Sequence, residues 1–562
     1  MKLNRRQKGI IGILFIIIMI TLSWIGLSKL FPESNTLRYI PDRIYRIIKI
    51  VLGSDPSSSS LEKEDVPLEL IIVKIGCVII LLIGTYKIVQ KAFYEQYILL
   101  KASFKKNHSI SIGASNKGKH LLVSIKETNH PQAVVIEKEE ETTYIKEIKK
   151  AGHLIIHGHA ENSRTLLEAG ITRASNLFIF LNSETDIIEI INSIQQLNAQ
   201  NRIQNKLNCY VHLKSPRLID LVNNVKLNQS DHQLHIQFFN QHKMIARRFF
   251  NNLPTLYQHL NIPLKAISTL IMIGYSEVGK ALLNQALRVL HVHANQKISI
   301  HIYSNNASID QEAFLDQYPF ANRIMELKFI PFHQTFSKLV EEELEGFTNE
   351  SNLVITAFED DEDNIHAAFE LLHRTSRFDF PIFILNAQGN GLRDMLQTQK
   401  ESKRLQFFGN IEEIADVELI STEKQDQLAK EIHADYLKLI ANTASESQRF
   451  TKSWQELLED AKDANRAQAD HIIYKLALCN KLPLDLNHPL TFTTEEVETL
   501  AIIEHQRWMA HRYLQGWSFG DKRDDLQKLH PSLVPWEQLS ESEKQKDRDT
   551  IQRIPILLQV QQ

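Results

Sequence analysis

The stretch Ser109-Ile-Ser-Ile-Gly-Ala-Ser-Asn-Lys-Gly118 has a counterpart further along the chain in Leu270-Ile-Met-Ile-Gly-Tyr-Ser-Glu-Val-Gly279. Each stretch is a short apolar run, a Gly-x-Ser-x-x-Gly turn and the start of an amphipathic segment. This layout is typical of a strand–loop–helix unit that holds phosphate, because the helix N-terminus offers free N–H groups and a positive dipole. One such loop is a weak signal, but two loops that open halves of similar length predict a tandem nucleotide-binding architecture.

The layout also indicates which residues would bind the nucleotide. The loop residues are Gly113, Ser115, Asn116 and Gly118 in the first half and Gly274, Ser276 and Gly279 in the second. The run Ala133-Val-Val-Ile136 ends in Glu137, about 20 residues beyond the first loop, where an acidic side chain can hold the ribose hydroxyls of a dinucleotide. The equivalent strand of the second half ends in Tyr303-Ser-Asn-Asn306, without a carboxylate. The second half therefore either prefers another ligand or is a scaffold that binds nothing.

Strand-like apolar runs alternate with helix-like segments through both halves. Asn176-Leu-Phe-Ile179 in the first half corresponds to Asn352-Leu-Val-Ile355 in the second, which favours a duplication over coincidence. Alternation of this kind predicts a right-handed, mostly parallel sheet whose ligand crevice lies at the carboxyl ends of the strands. We therefore expect the α/β class, with Rossmann-like domains over residues 107–250 and 265–420.

Two long apolar runs precede these halves and predict a membrane domain over residues 1–106. The runs cover about residues 9–30 and 67–90, and each is long enough to cross a bilayer as a transmembrane helix. Residues 42–52 between them have the spacing of a short amphipathic helix on the membrane surface. Basic residues outside both runs predict two spans of the inner (cytoplasmic) membrane, with both termini and all later domains in the cytoplasm. A cleaved signal peptide is rejected for the first run, which is too long and lacks a clear cleavage site.

The first half resembles the TrkA-N Rossmann domain of regulators of potassium conductance. The resemblance covers about residues 108–240 and rests on Gly113-Ala-Ser-Asn-Lys-Gly118, Val135-Ile-Glu137, His157-Gly-His-Ala-Glu-Asn162 and Leu177-Phe-Ile-Phe-Leu181. It implies a domain that follows membrane helices or partners a membrane subunit, binds NAD, NADH or another adenine nucleotide, and gates ion flux. It also implies Gly158 and Ala160 as cofactor-binding residues. The chain departs from the pattern at the second glycine, which is Ser115 here.

Beyond about residue 420 the strand patterns stop, and residues 421–562 predict a helical linker and a small, mainly α-helical domain. Aromatic and basic residues cluster there in Glu504-His-Gln-Arg-Trp508, Gly516-Trp-Ser-Phe-Gly520 and His530-Pro-Ser-Leu-Val-Pro535. In this order, these motifs resemble the ryanodine-receptor repeat (RyR) domain. In prokaryotes such domains accompany nucleotide-linked signalling and conflict systems, so the resemblance implies a nucleotide or a nucleotide-derived messenger as ligand.

The residue types of this cluster suit such a ligand, since Trp faces stack on adenine while Arg and Lys donate to phosphate. The candidate messenger-binding residues are Asn465, Arg466, Glu504, His505, Trp508, Arg512, Trp517, Lys522 and Arg523. On a helix, Glu504, Trp508 and Arg512 would share one face. In the alternative interpretation, the tryptophans form the core of the small domain and the charged residues are its solvated rim.

Composition excludes several function classes. The net charge is -3, from 64 basic and 67 acidic residues, so no nucleic-acid partner is expected. The 3 cysteines lie far apart without metal-ligand spacing, so no metal site is expected. No nucleophile elbow, Walker lysine loop or Cys–His pair is present, and we expect no enzymatic activity.

The combined expectation is a membrane-anchored nucleotide sensor that gates or regulates ion flux, with potassium as the expected ion. Its cofactor would be NAD(H) or another adenine nucleotide, and its partners the lipid bilayer and further copies of itself. Two spans alone cannot enclose a pore, so we expect a homo-oligomer, either a dimer or a tetramer. The alternative is a nucleotide-messenger-activated membrane effector of a bacterial defence or stress system.

Overall fold

A computed structural model describes most of the 562-residue chain. The described residues are 5–30, 40–51, 67–114, 116–127, 132–139, 144–215, 218–219, 233–332, 352–375, 380–386, 404–410, 420, 423–440, 451–484 and 489–559. They form two compact units, residues 1–101 and 102–562.

The first unit is helical. Its helices are α1 (Arg5–Leu30), α2 (Ile40–Val51) and α3 (Leu68–Ser103), the last of which continues into the second unit. A small apolar cluster that includes Leu27, Leu70 and Val73 packs α1 against α3, and Lys29 forms an ion pair with Glu69 beside it.

Among the described residues, α3 is the one helix both long and apolar enough to cross a membrane, with a mean hydropathy of 2.5 over its most apolar window. Within α1, the apolar stretch Ile17–Lys29 is shorter than a full crossing. The helix α3 extends well past residue 90, where the sequence predicts the end of the second span. The prediction of two spans thus stays a prediction.

The first Rossmann half is a parallel sheet with helices between its strands. Its strands are β1 (Ser109–Ile112), β2 (Val134–Glu137), β3 (Leu154–His157), β4 (Asn176–Ile179), β5 (Leu207–His212) and β6 (Leu234–Phe239). Its helices are α4 (Asn116–Glu127), α5 (Ile145–Lys150), α6 (Ser163–Glu168) and α7 (Glu184–Ala199). The strand order β3-β2-β1-β4-β5-β6 is that of a dinucleotide-binding fold, so the crevice lies where the order reverses beside β1.

The second half repeats this topology after the long connecting helix α8 (Gln241–His259). Its strands are β7 (Thr269–Ile273), β8 (Ser299–Ser304), β9 (Glu326–Pro331), β10 (Asn352–Thr356), β11 (Ile382–Leu385) and β12 (Leu405–Phe408). Its helices are α9 (Glu277–Val289), α10 (Ala307–Gln317), α11 (Ala321–Ile324) and α12 (Asp361–Arg374). The order β12-β11-β10-β7-β8-β9 is the first sheet's order read from the other edge. The predicted tandem Rossmann-like α/β fold is confirmed.

The C-terminal part is mainly helical, as the sequence predicts. Its helices are α13 (Gln427–Ile440), α14 (Glu459–Leu478), α15 (Thr494–Leu514) and α16 (Glu541–Gln559). A two-residue ladder joins β13 (Ser518–Phe519) to β14 (Leu529–His530), and a capping box between Thr493 and Glu496 begins α15. Short 3-10 turns cover Ile171–Arg173, Leu264–Ala266, Lys424–Asp426, Trp454–Glu456 and Trp536–Gln538.

The C-terminal helices share one hydrophobic core with the second half. Phe250 of α8, Leu283 of α9, Tyr474 of α14 and Leu500 of α15 are all buried in it, and the Tyr474 hydroxyl donates to Phe250 O at 2.8 Å. Apolar residues around β1, β2 and β4 of the first half form a separate cluster. The C-terminal part is therefore packed as a continuation of the second half.

Candidate nucleotide-binding site

The glycine turn of the first half lies at the carboxyl end of β1. Gly113 has a φ of +97°, which a side chain would strain, and a Cβ there would lie 2.8 Å from Phe180 O. A Cβ on Gly118 would lie 2.4 Å from Gly113 O, so α4 packs directly against the end of the strand. Both glycines are thus required by close backbone contacts, as in a phosphate-binding turn.

Glu137 ends the neighbouring strand β2 and turns its carboxylate towards this loop. Its Oε2 accepts a hydrogen bond from Ala114 N, and its Oε1 accepts one from Glu139 N at 3.1 Å. The carboxylate therefore lies beside the glycine turn, where the ribose hydroxyls of a nucleotide would be held.

The third strand completes the same edge. Gly158 N donates to Glu137 O at 3.0 Å, and a Cβ on Gly158 would lie 3.0 Å from the Thr165 side chain. Ala160 is buried just beyond it. The structure thus brings Gly113, Gly118, Glu137, Gly158 and Ala160 to one sheet edge. Ser115 lies outside the described residues, and Asn116 is described only as the first residue of α4.

The corresponding edge of the second half has the same turn with different surroundings. Gly274 has a φ of +91°, and Ser276 caps α9 by accepting a hydrogen bond from Gly279 N at 3.2 Å. Tyr275 in the turn packs edge-on against Phe329 at 5.5 Å between centroids, and burial raises the pKa of its hydroxyl. The hydroxyl and the aromatic side chain of this turn are thus both engaged within the second half itself.

The predicted RyR-type cluster is partly assembled. The Arg512 guanidinium carbon lies 5.6 Å from the ring centroid of Trp508 and 4.9 Å from that of Trp517. His505 stacks on Trp508 at 5.8 Å between centroids. Lys522 and Arg523 lie on the exposed turn before β14, where Arg523 pairs with Asp525 at 2.8 Å. The two tryptophans and the arginine form a cation–π stack that is half open to solvent at Trp508 and Arg512.

Two predicted messenger-binding residues lie instead in buried ion pairs. Glu504 accepts hydrogen bonds from Lys475 and Arg507, both at 2.7 Å. Burial raises the pKa of Glu504, but Arg507 and Lys475 outweigh it and lower the pKa to about 2. Arg466 is paired with Asp426 at 2.7 Å. Asn465, in α14, donates to Ala461 O at 2.9 Å within its own helix.

A cavity of about 530 Å³ lies where the two halves meet the C-terminal part. Arg466 and Trp517 line it, together with Lys243 at the start of α8. Its charged groups largely neutralise each other, since Lys243 pairs with Asp463 at 2.5 Å and Arg247 with Asp470 at 2.7 Å. Sequence spacing gave no signal for these pairs, because the partners lie more than 200 residues apart in the chain.

His530 also packs against the cation–π stack, although it is not among the messenger-binding residues predicted from the sequence. Its ring lies 5.0 Å from the Trp508 centroid and 6.2 Å from that of Trp517. Burial, with the nearby Arg512 and Arg523 charges, lowers the pKa of His530 to about 4. This histidine begins the His-Pro-Ser-Leu-Val-Pro motif, which is the sequence feature that could have identified it as a site residue.

No group of three or more His, Cys, Asp or Glu side chains could hold a metal ion within the described part of the chain.

The fold and the first glycine edge define the chain as a tandem Rossmann protein with a nucleotide-type crevice. Residues 110–225 match the TrkA-N domain, and residues 483–560 match the RyR domain. Both resemblances noted in the sequence are thereby confirmed.

Solved structures with a similar chain path include GsuK proteins. One is GsuK bound to ADP, with 13% sequence identity, a TM-score of 0.39, and coverage of 74% of this chain and 97% of that chain. Another is the GsuK channel bound to NAD, with 13% identity, a TM-score of 0.38, and coverage of 75% of this chain and 84% of that chain. These likenesses concern the chain path alone.

Proposed function

We propose that this protein is a membrane-anchored sensor in which an adenine nucleotide, NAD(H) foremost, binds the first Rossmann half and regulates potassium flux. The observation that carries the proposal is the edge formed by Gly113, Gly118 and Glu137, within residues that match a TrkA-N domain. The close-packed glycines leave room for phosphate beside the N-terminus of α4, and the carboxylate suits ribose hydroxyls. No enzymatic step is part of this function.

The junction between α3 and the first half supports regulation of the membrane part. Ser103 O, at the end of α3, accepts a hydrogen bond from Arg173, and Lys105 Nζ donates to Gln132 O at 2.7 Å. Gly170 approaches the same helix end, since a Cβ there would lie 3.0 Å from Ala102 O. A rearrangement of the nucleotide-binding half would therefore act directly on the end of α3.

The membrane arrangement proposed is two spans of the inner membrane, α1 and the first part of α3, with both termini and all later domains cytoplasmic. The packing of α1 on α3 through Leu27 and Leu70, with the Lys29–Glu69 pair, supports a helix pair in lipid. Within the membrane, the bilayer covers apolar surface that the two helices leave exposed.

A stripe of exposed apolar residues along α3 supports assembly into a homo-oligomer. Its members are Ile72, Ile79, Ile83, Tyr86, Phe93, Tyr97 and Leu100, each between 45% and 68% exposed. Five of them recur every seven residues, which is the repeat by which parallel helices pack in a coiled coil. At 36 residues α3 is about 54 Å long, and a bilayer core is only about 30 Å thick. The stripe therefore continues past the lipid, where neighbouring copies of α3 would bury it.

Potassium flux through the purified full-length protein in liposomes tests the proposal. We expect NAD, NADH, ADP or ATP to change the flux. In Glu137→Gln, the nucleotide concentration needed for the same change should rise at least tenfold, because the ribose hydroxyls lose the charged carboxylate that accepts their hydrogen bonds. The matched control is Glu139→Gln, two residues further along on the exposed surface. A flux that no nucleotide alters, or an equal effect of the two substitutions, would overturn the proposal.

A second candidate function follows from the cation–π stack of Arg512 between Trp508 and Trp517. Such a stack presents an aromatic face and a phosphate donor together, which suits a nucleotide messenger and a membrane effector of defence or stress. In this case, Arg512→Gln would abolish messenger-dependent membrane permeabilisation in cells, whereas Glu137→Gln would leave it intact. The reverse pattern would favour the sensor of the first half.

A further inference from the structure

A second large cavity, of about 560 Å³, lies between the second Rossmann half and the C-terminal helices. One side is formed by the segment after α9, residues 290–298, and by the end of α11. The other side is formed by α15 and by residues 534–537. Neither the glycine edge of the first half nor the Arg512 stack contributes to it. Its volume is in the range of about 300–1,000 Å³ that is usual for small-molecule sites.

The side formed by the C-terminal part is apolar and aromatic. Met509 and Tyr513 of α15 line it, and Trp536 closes it. The Trp536 ring is packed against other side chains, because the His505 ring centroid lies 6.0 Å and Lys544 Nζ 5.7 Å from its centroid. Flat, fixed rings of this kind offer a stacking surface for a planar ligand.

The side formed by the second half contributes two cations, and one of them reaches the ring of Tyr513. The guanidinium carbon of Arg323 lies 4.9 Å from the ring centroid of Phe320 and 5.8 Å from that of Tyr513. Lys297 Nζ donates to Arg323 O at 2.6 Å, and partial burial lowers the pKa of this lysine. Both cations line the cavity, and the hydrogen bond holds the Lys297 ammonium at the backbone of Arg323.

Neither cation has an acidic partner within 4.0 Å in the described part of the chain. Among the described residues that line the cavity, Glu537 is the one that carries a carboxylate. The first cavity differs in this respect, since Lys243 and Arg466 there are paired with aspartates. The second cavity therefore combines an excess of positive charge with an aromatic wall. An anionic ligand with a flat ring fits that combination.

We propose that this cavity binds a nucleoside phosphate, with the base against Tyr513 and Trp536 and the phosphate at Lys297 and Arg323. The site is additional to the one in the first half and does not depend on it. Since its walls come from the second half and from the C-terminal part, a bound nucleotide would tie these two parts together. The second half would then take part in nucleotide binding away from its own glycine turn.

The test is ADP binding to the purified full-length protein in detergent, measured by equilibrium dialysis and by thermal unfolding. All measurements use a Glu137→Gln background, which weakens the site in the first half. We expect Arg323→Gln with Lys297→Gln to weaken the remaining ADP binding at least tenfold, and Met509→Trp to abolish it by filling the cavity. The matched control is Arg374→Gln, at an exposed position of helix α12 in the same half, which should bind ADP as the background does.

Probes that carry only part of the ligand test the assignment of each wall. Adenosine and inorganic phosphate should each bind at least tenfold more weakly than ADP. The Arg323 and Lys297 positions are exposed, so that double variant is expected to fold, and its unfolding temperature without ligand checks this. ADP binding that survives both cavity variants would overturn the proposal, as would the loss of all ADP binding in the Glu137→Gln background alone. The second result would leave the function of the first half intact.

Discussion

Two glycines at equivalent positions of the duplicated turns have different surroundings. A Cβ on Gly118 would lie 2.4 Å from Gly113 O, closer than real Cβ atoms approach, whereas one on Gly279 would meet Ala357 at an ordinary 3.5 Å. We therefore expect Gly118→Ala to destabilise the first half by about 1–3 kcal/mol, as overpacking typically does. Gly279→Ala is the control and should be neutral or slightly stabilising, since alanine favours a helix. Thermal unfolding of the two full-length variants measures the difference, and equal shifts would contradict it.

Glu504 is the second residue whose environment makes a clear prediction. Replacing it with Gln leaves the fully buried Lys475 without its carboxylate, so we expect a loss of about 3–5 kcal/mol, the usual cost of breaking a buried pair. Glu498→Gln is the control, because the Glu498 side chain is 45% exposed and pairs with Arg548 at 2.6 Å near the surface. That change should cost at most about 1 kcal/mol. Denaturant unfolding of both variants measures the two losses in the free energy of unfolding. Similar losses would show that burial of the Lys475–Glu504 pair adds little to stability.

The contrast between Glu137 and Glu504 shows which site residues the sequence could predict. Glu137 follows a buried strand at a set distance from a glycine turn, and both features are local in the chain. Glu504 has the helical spacing to join Trp508 and Arg512, but Lys475 and Arg507 engage it in a buried pair. Because Lys475 lies on a different helix, no local pattern reveals that pair.

At the scale of elements, the central strands β1, β4, β7 and β10 are largely buried on both faces, and their continuous apolar runs make them predictable from the sequence. The structure adds β9, Glu326-Leu-Lys-Phe-Ile-Pro331, which the sequence pattern did not reveal. This strand lies at the edge of its sheet, with alternately exposed residues and a terminal proline, so it lacks the continuous apolar run of a central parallel strand. The helix α3 continues beyond the predicted span of residues 67–90, since hydropathy marks where lipid ends and helices can continue beyond it.

The exposed stripe of α3 makes a prediction about this element in the assembled protein. In a variant with Cys77, Cys209 and Cys479 replaced, we expect Leu100→Cys to form an intermolecular disulfide under mild oxidation, because its heptad position faces the same position of a neighbouring copy. Glu95→Cys, on another face of the same exposed segment, is the matched control and should crosslink weakly. Non-reducing electrophoresis of membranes reads the result. Equal crosslinking at both positions would contradict a specific helix seam.

At the scale of the whole molecule, the second half and the C-terminal part meet around buried histidines. His471 of α14 hydrogen-bonds His291 O at 3.1 Å, and His511 of α15 lies 3.2 Å from an Arg288 nitrogen. Burial lowers the pKa of all three histidines, that of His291 to about 4. Lys475 and Arg507 add positive charge around His291 and His471, and at His291 the charge of Glu504 only partly offsets it. The folded interface thus requires these rings to be neutral.

The sign of the pH dependence follows from these lowered pKa values. An unfolded histidine takes up its proton near pH 6.5, whereas the folded ones resist protonation until well below that, so their contribution to stability is full above about pH 6.5 and is lost as the pH falls towards about 4. We expect the unfolding temperature of the full-length protein to fall between pH 7.5 and pH 5, before most carboxylates protonate. His471→Gln, which keeps a neutral hydrogen-bonding group but cannot be charged, should reduce this fall, whereas His159→Gln at an exposed position should not. An unfolding temperature that is constant over this range, or one that His159→Gln changes as much as His471→Gln, would show that the interface does not depend on neutral histidines.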